Sequence, residues 1–128
     1  MTDTFTATPG IRKKRGDNEH KLQVMVVDYL AAAARSDCYW YAIPNAGHRS
    51  LRMGARMKRE GLRAGLADLE IMLPGRPNAY LEMKTSTGRQ SVEQKNFQAI
   101  CLKLGHPYAV ARTFDEATKI LRLWGALK

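Results

Sequence analysis

The chain has 128 residues, room for one compact domain with a modest core, and its 45% hydrophobic and 26% charged residues are ordinary for a soluble globular protein. The charge balance is not: 21 Lys and Arg against 12 Asp and Glu give a formal +9, which points to a polyanionic partner, since each phosphate neutralised releases counterions. Cys38 and Cys101 form neither a disulfide framework nor a CxxC metal pair, and His20, His48 and His106 lack zinc-ligand spacing. Charge alone still admits a ribosome-like or membrane-surface partner.

No stretch approaches a transmembrane span, and the Thr-rich N-terminus lacks the apolar core of a signal peptide. A cytoplasmic protein of a bacterial or phage-infected host cell is expected.

Residues 1–16 read as a flexible basic arm ending in Arg12-Lys13-Lys14-Arg15, and residues 17–128 as the folded domain. A first helix is expected from about Asn18 to Arg35, capped by Asp17 or Asn18. Leu22, Val26, Tyr29, Leu30 and Ala33 form its apolar stripe, and Glu19 and Gln23 edge onto the core side. Cys38 to Ile43 has strand propensity and ends at the Pro44-Asn45-Ala46-Gly47 loop.

Residues 50–60 read as a helix stopped by Gly61. Two strands, Ala67 to Leu73 and Ala79 to Lys84, flank a turn at Pro74-Gly75-Arg76-Pro77. Ser91-x-x-Gln94 is a capping box opening a helix to about Leu104, with Gly105 as its stop. Tyr108 to Arg112 is a short strand, and Thr113-x-x-Glu116 opens a last helix through Trp124. The order α-β-α-β-β-α-β-α predicts an α/β fold, a mixed sheet with helices packed on it.

The hairpin carries the chemistry. Side chains alternate along a strand, so Asp68, Glu70 and Met72 share one face, as do Tyr80, Glu82 and Lys84. Asp68 and Glu82 each lie seven residues from Gly75, so a turn centred there sets them opposite each other, with Cβ atoms about 5 Å apart. Two carboxylates at that distance repel unless a positive charge sits between them. A hard divalent cation such as Mg2+ (or Mn2+) meets that need with oxygen ligands, and Lys84 points to the same face. Taken alone, Glu-x-Lys is also what a surface ion pair looks like, and a one-residue register slip would separate the two acids.

The wider string narrows the choice. Gly65-Leu66-Ala67-Asp68, Leu81-Glu82-Met83-Lys84-Thr85 and Gly88-Arg89-Gln90-Ser91-Val92-Glu93-Gln94 closely resemble the virus-type replication–repair nuclease (VRR-NUC) family of the PD-(D/E)XK superfamily. The upstream Pro44-Asn45-Ala46-Gly47-His48-Arg49 and the early Glu19 match in type and order, and the resemblance spans roughly residues 17 to 124. It implies a restriction-endonuclease-like mixed sheet flanked by helices. It further implies that Asp68, Glu82 and the Met83 backbone carbonyl bind the metal, and that Lys84 orients or activates the attacking water. Glu19 would complete the acidic site through a metal or its waters, and Gln94 would position Lys84 or a phosphate. The implied activity is endo- or exonucleolytic hydrolysis of DNA to 5′-phosphate and 3′-hydroxyl ends, selective for flap, splayed or four-way junction structures. The build of stand-alone members implies a homodimer. Ala67 stands where the superfamily name has Pro, a position that varies in type among such nucleases.

Arg49, Arg52, Arg56, Arg59 and Arg63 are spaced 3, 4, 3, 4, a cationic stripe if the helix is continuous, although Gly54 and Gly61 leave only Arg52, Arg56 and Arg59 safely on one face. With Asn45 and Arg89 they are the expected nucleic-acid contacts, which fix position without reading sequence. The alternative is a DNA-binding module that keeps the fold without turnover. A basic ribosome-associated protein would explain the charge but not the acidic hairpin.

Overall fold

The computed structural model describes residues 15–44 and 51–128. The basic arm as far as Lys14, and the expected DNA contacts Asn45 and Arg49, lie outside the described residues. The elements run α1 (Arg15–Ala33), β1 (Tyr39–Ala42), α2 (Leu51–Arg59), β2 (Leu69–Met72), β3 (Ala79–Met83), α3 (Val92–Lys103), β4 (Tyr108–Ala111) and α4 (Phe114–Leu123). This is the α-β-α-β-β-α-β-α order expected from the sequence. The boundary of α1 differs: it starts at Arg15, so Asp17 and Asn18 lie inside the first turn rather than capping it. Their acceptors suit that turn, where backbone N–H groups have no helical partner.

The four strands form one sheet in the order β1-β2-β3-β4, antiparallel at its first two junctions and parallel between β3 and β4. The parallel pair needs a crossover, and α3 provides it. One face of the sheet carries Leu69, Ile71, Leu73, Ala79, Leu81 and Met83 into the core. There they meet Val26 and Leu30 of α1 and Ala117 and Leu121 of α4. Burial of each larger side chain in this set contributes about 1.5–3 kcal/mol. Trp40 turns to the same core, whereas Tyr39 and Tyr41 face outward and are exposed.

Helix α3 covers part of the opposite face. Its Phe97 ring meets Tyr80 of β3 and Tyr108 of β4 edge-on, at centroid separations of 5.2 and 6.1 Å. Its start is held by a complete capping box: the Ser91 hydroxyl accepts from the Gln94 N–H, and the Gln94 side chain accepts from the Ser91 N–H. Its end passes through Gly105, whose φ of 85° is the left-handed conformation that stops a helix at low cost. At α4 the Thr113 hydroxyl caps Glu116, but the Glu116 carboxylate reaches back to the N–H of Arg112 rather than of Thr113.

Close packing also fixes the approach to β2. Gly65 has φ 83°, and a Cβ there would collide with the backbone and Cβ of Glu93. The segment leading to Asp68 is thereby pressed against the first turn of α3, which carries Gln94.

Candidate active site

The hairpin register pairs Leu69 with Leu81, Glu70 with Tyr80 and Ile71 with Ala79. One step further out, Asp68 stands opposite Glu82, the pairing that symmetric spacing about Gly75 requires. Asp68 extends β2 beyond its regular end, since its carbonyl accepts from the N–H of Ile43 at 2.9 Å. Lys84 extends β3 in the same way by donating its N–H to the carbonyl of Ala111 at 3.0 Å. Alternation then puts Glu82 and Lys84 on one face, opposite to the core-facing Leu81 and Met83.

Strand β3 lies between β2 and β4, and Gln94 of α3 reaches over its outward face, which is buried at these positions as well. Glu82 is 2% exposed and Lys84 8%. Lys84 Nζ lies 3.8 Å from Glu82 Oε2. The same Oε2 accepts from Gln94 Nε2 at 3.0 Å. Because Gln94 Oε1 is occupied by the Ser91 N–H at 2.8 Å, the amide has one available orientation, with its donor toward Glu82. The family resemblance implies a Gln94 that faces this centre and positions Lys84 or a phosphate. It reaches the centre, but through Glu82.

Glu82 Oε1 is buried without a hydrogen-bond partner among the described residues. Burial, then the nearby charge of Asp68, pushes the Glu82 carboxyl up to about 8, with Lys84 only partly opposing. Asp68 is also raised, first by burial and further by Glu19. The Met83 N–H, which donates to Asp68 Oδ2 at 2.6 Å, holds it down in part. Both acids are thus pushed toward the protonated form, Glu82 by burial and by the charge of Asp68, and Asp68 by burial and by the charge of Glu19.

Glu19 sits on α1 beside this pair. Its Oε2 would be 3.3 Å from a Cβ placed on Gly88, and its charge raises both Asp68 and Glu82. Among the described residues, no three His, Cys, Asp or Glu side chains gather closely enough to enclose an ion by themselves. The tight element is the Asp68–Glu82 pair, with Glu19 one step out.

The loop joining β3 to α3 is shaped by Arg112, a residue that belongs to no motif in the sequence. Its Nη1 donates to the carbonyls of Thr85 and Gly88 at 2.7 and 2.6 Å, and the Gly88 N–H returns to Thr85 O at 3.2 Å. Gly88 is buried, and a Cβ there would press on Thr85 Oγ1 at 2.9 Å as well as on Glu19. Nothing local in the sequence marks Arg112 for this, because its partners lie 24 and 27 residues away.

The other acidic and aromatic residues of this face are engaged elsewhere. Glu70 Oε2 accepts from Asn78 Nδ2 at 2.6 Å and from the Tyr80 hydroxyl at 3.1 Å. Tyr80, which shares the Glu82 face of β3 by alternation, packs edge-on against Phe97 and His106.

On α2, Arg52, Arg56 and Arg59 share one face of a helix that buries no residue, and Arg56 pairs with Glu60 at 3.4 Å. Arg63 lies beyond the helix, past Gly61 at φ 104°. The continuous five-arginine stripe is therefore broken there. Arg89 is exposed on the loop before α3. No helix among the described residues is long and apolar enough to cross a membrane.

Neither a protein-family model nor a curated protein matches the sequence. Solved structures do. One described as "VRR_NUC domain protein" is 20% identical, superposes with a TM-score of 0.72, and matches over 89% of this chain and 90% of its own. A second, described as "VRR_NUC domain", is 17% identical with a TM-score of 0.57, over 81% of this chain and 94% of its own. The chain has the VRR-NUC domain fold.

Proposed function

We propose that this protein is a divalent-metal-dependent nuclease that hydrolyses DNA phosphodiester bonds at the Asp68–Glu82–Lys84 centre. The observation that carries the reading is the facing pair of carboxylates, one of them with a buried oxygen that has no hydrogen-bond partner among the described residues. Such a pair is costly as a structural device, because both carboxyls are buried and the charge of Asp68 opposes ionisation of Glu82. A hard cation held by oxygen ligands resolves both problems. The likeness to VRR-NUC structures supports the same reading through the fold.

Asp68 and Glu82 would hold Mg2+ or Mn2+. In an extended strand the N–H and C=O of one residue point to the same edge. The Met83 N–H points to Asp68, so the Met83 carbonyl is available on that side as a further oxygen. When bound, such an ion lowers the pKa of a coordinated water and offsets charge developing on the phosphate.

Lys84 supplies a fixed ammonium beside Glu82, able to donate to the attacking water or to a phosphate oxygen. Gln94 holds Glu82 in place, and Glu19 adds negative charge at the rim, where it orders waters around the centre. Attack of water on phosphorus with departure of the 3′-oxygen leaves a 5′-phosphate and a 3′-hydroxyl.

The surroundings supply the substrate. Arg52, Arg56 and Arg59 on α2, with Arg63 and Arg89, suit phosphate contacts that read no bases, which favours branched or flapped DNA over a particular sequence. A homodimer would present two such centres to one junction.

The test is cleavage of labelled duplex, flap, splayed-arm and four-way-junction DNA in Mg2+, Mn2+ or EDTA, with Lys84→Ala alongside. Metal-dependent cutting abolished by the substitution is expected. Tight binding without cutting on every substrate would instead make the protein a DNA-binding module with a nuclease fold.

A further inference from the structure

A recess between α1 and the end of β3 shares Lys84 with the acidic centre, while neither Asp68 nor Glu82 is part of its lining. Its volume is about 340 Å3, within the range of small-molecule sites. One wall is a single face of α1, with Asn18, Lys21, Leu22 and Met25 at helical spacing. The opposite wall is the end of β3 and its loop, closed by Arg112 and Phe114.

The lining has two halves of different chemistry. Lys21, Lys84 and Arg112 bring basic groups, Lys84 also lying 3.8 Å from Glu82, and among the described residues no Asp or Glu lines the recess. Arg112 spends one nitrogen on the carbonyls of Thr85 and Gly88, which fixes its position and leaves its charge in place. Thr85 Oγ1 is buried with no hydrogen-bond partner among the described residues, a hydroxyl left with a bond to make. Leu22, Met25 and Phe114 form the apolar half, and Met25 is 49% exposed. A ligand matching both halves carries an anion at one end and a flat apolar body at the other.

We propose that this recess binds one nucleotide of the DNA strand next to the scissile phosphate, its phosphate between Lys21 and Arg112 and its base against Met25, Leu22 and Phe114. The assignment rests on the nuclease reading for its place in the reaction, since Lys84 belongs to both the recess and the acidic centre. The apolar wall makes the contact tolerant of base identity, because every base offers a flat face. The recess holds a strand end or a splayed nucleotide more readily than a paired one, whose base is committed to its stack.

The experiment is an NMR titration in EDTA, so that no cleavage occurs, with three probes: deoxyadenosine 5′-monophosphate, deoxyadenosine and inorganic phosphate. The nucleotide is expected to bind more tightly than either fragment and to shift the Met25 methyl and Phe114 ring signals. Lys21→Glu, on the exposed side of α1, should weaken nucleotide binding roughly tenfold or more, the loss of one charge-assisted contact. Met25→Ala should weaken the nucleotide but leave inorganic phosphate unchanged. Equal affinity for nucleotide and inorganic phosphate, shifts that map elsewhere, or binding indifferent to Lys21→Glu would each overturn the proposal. Cleavage by the unaltered protein in Mg2+ is scored separately. A protein that cuts DNA but fails this titration loses only the recess, whereas one that passes it but never cuts loses only the nuclease.

Discussion

Gln94 is bonded at both ends of its amide: Oε1 accepts from the Ser91 N–H at 2.8 Å, and Nε2 donates to Glu82 Oε2 at 3.0 Å. The residue that closes the capping box of α3 is therefore the one that orients the most buried acid of the candidate centre. The two roles are separable by substitution. Glutamate also closes a capping box, but it presents an oxygen where Glu82 needs a donor. Gln94→Glu should keep the helix and lower the melting temperature only modestly. It should cut DNA cleavage at neutral pH by about tenfold, the weight of one hydrogen bond to a charged group, and move the pH optimum upward. Rates measured across pH, beside a thermal melt, check this. An unchanged optimum would mean that Gln94 serves only the helix.

Glu82 links stability to pH in a direction opposite to that of an ordinary surface carboxylate. In the folded chain its proton is held up to about 8, against an ordinary 4.5. Across that interval the folded state binds one more proton than the unfolded state, so stability falls as pH rises. The contribution is complete below the lower value and lost above the upper one. In EDTA, the melting temperature of the unaltered protein should therefore decline over this window more steeply than that of Glu82→Gln. Mg2+ should reverse the trend, because it needs both carboxylates ionised and stabilises by binding the folded state. Parallel profiles for the two proteins in EDTA would remove Glu82 as the linked group.

Two glycines are places where a methyl group tests the packing behind the site. Gly65→Ala sets a Cβ into the backbone of Glu93 at φ 83°, where no flexible side chain can move aside. It should destabilise by several kcal/mol, about the upper end of overpacking and backbone-strain costs. Gly88→Ala presses instead on Thr85 Oγ1 and Glu19 Oε2, both side-chain atoms. Its stability cost should be about 1–2 kcal/mol, with a larger loss of cleavage as Glu19 is displaced. Denaturation midpoints and cleavage rates on the same preparations compare the two. Equal effects on fold and activity at Gly88 would argue that Glu19 has no part in the reaction.

The cationic face of α2 predicts how binding responds to salt. Replacing Arg52, Arg56 and Arg59 together by Ala should weaken binding to all DNA sequences alike. It should also reduce the slope of log affinity against log salt by about 2 to 3, near one for each phosphate left without its arginine. Arg56 is the weakest member, since Glu60 already engages it. Fluorescence anisotropy over a salt series reads the slope, and an unchanged slope would place the DNA path on another surface.

Much of this was legible in the sequence because it depends on local rules. The period of two along β2 and β3 determined which side chains share a face, and the symmetric spacing about Gly75 determined that Asp68 meets Glu82. The capping signals at Ser91 and Thr113 located two helix starts to the residue, since a cap is a contact over three positions. The basic excess was countable before any folding. What tertiary structure alone decided depends on chain segments far apart in sequence. The burial of Glu82 needs β4 on one side of its strand and α3 above it. The turn of Gln94 toward Glu82, rather than Lys84, follows from the capping bond that uses its oxygen. The clamp of Arg112 on Thr85 and Gly88, the approach of Glu19 to that loop, and the recess between α1 and β3 have no local signal. Each arises where residues tens of positions apart compete for the same space, and only the packed chain says which of them meet.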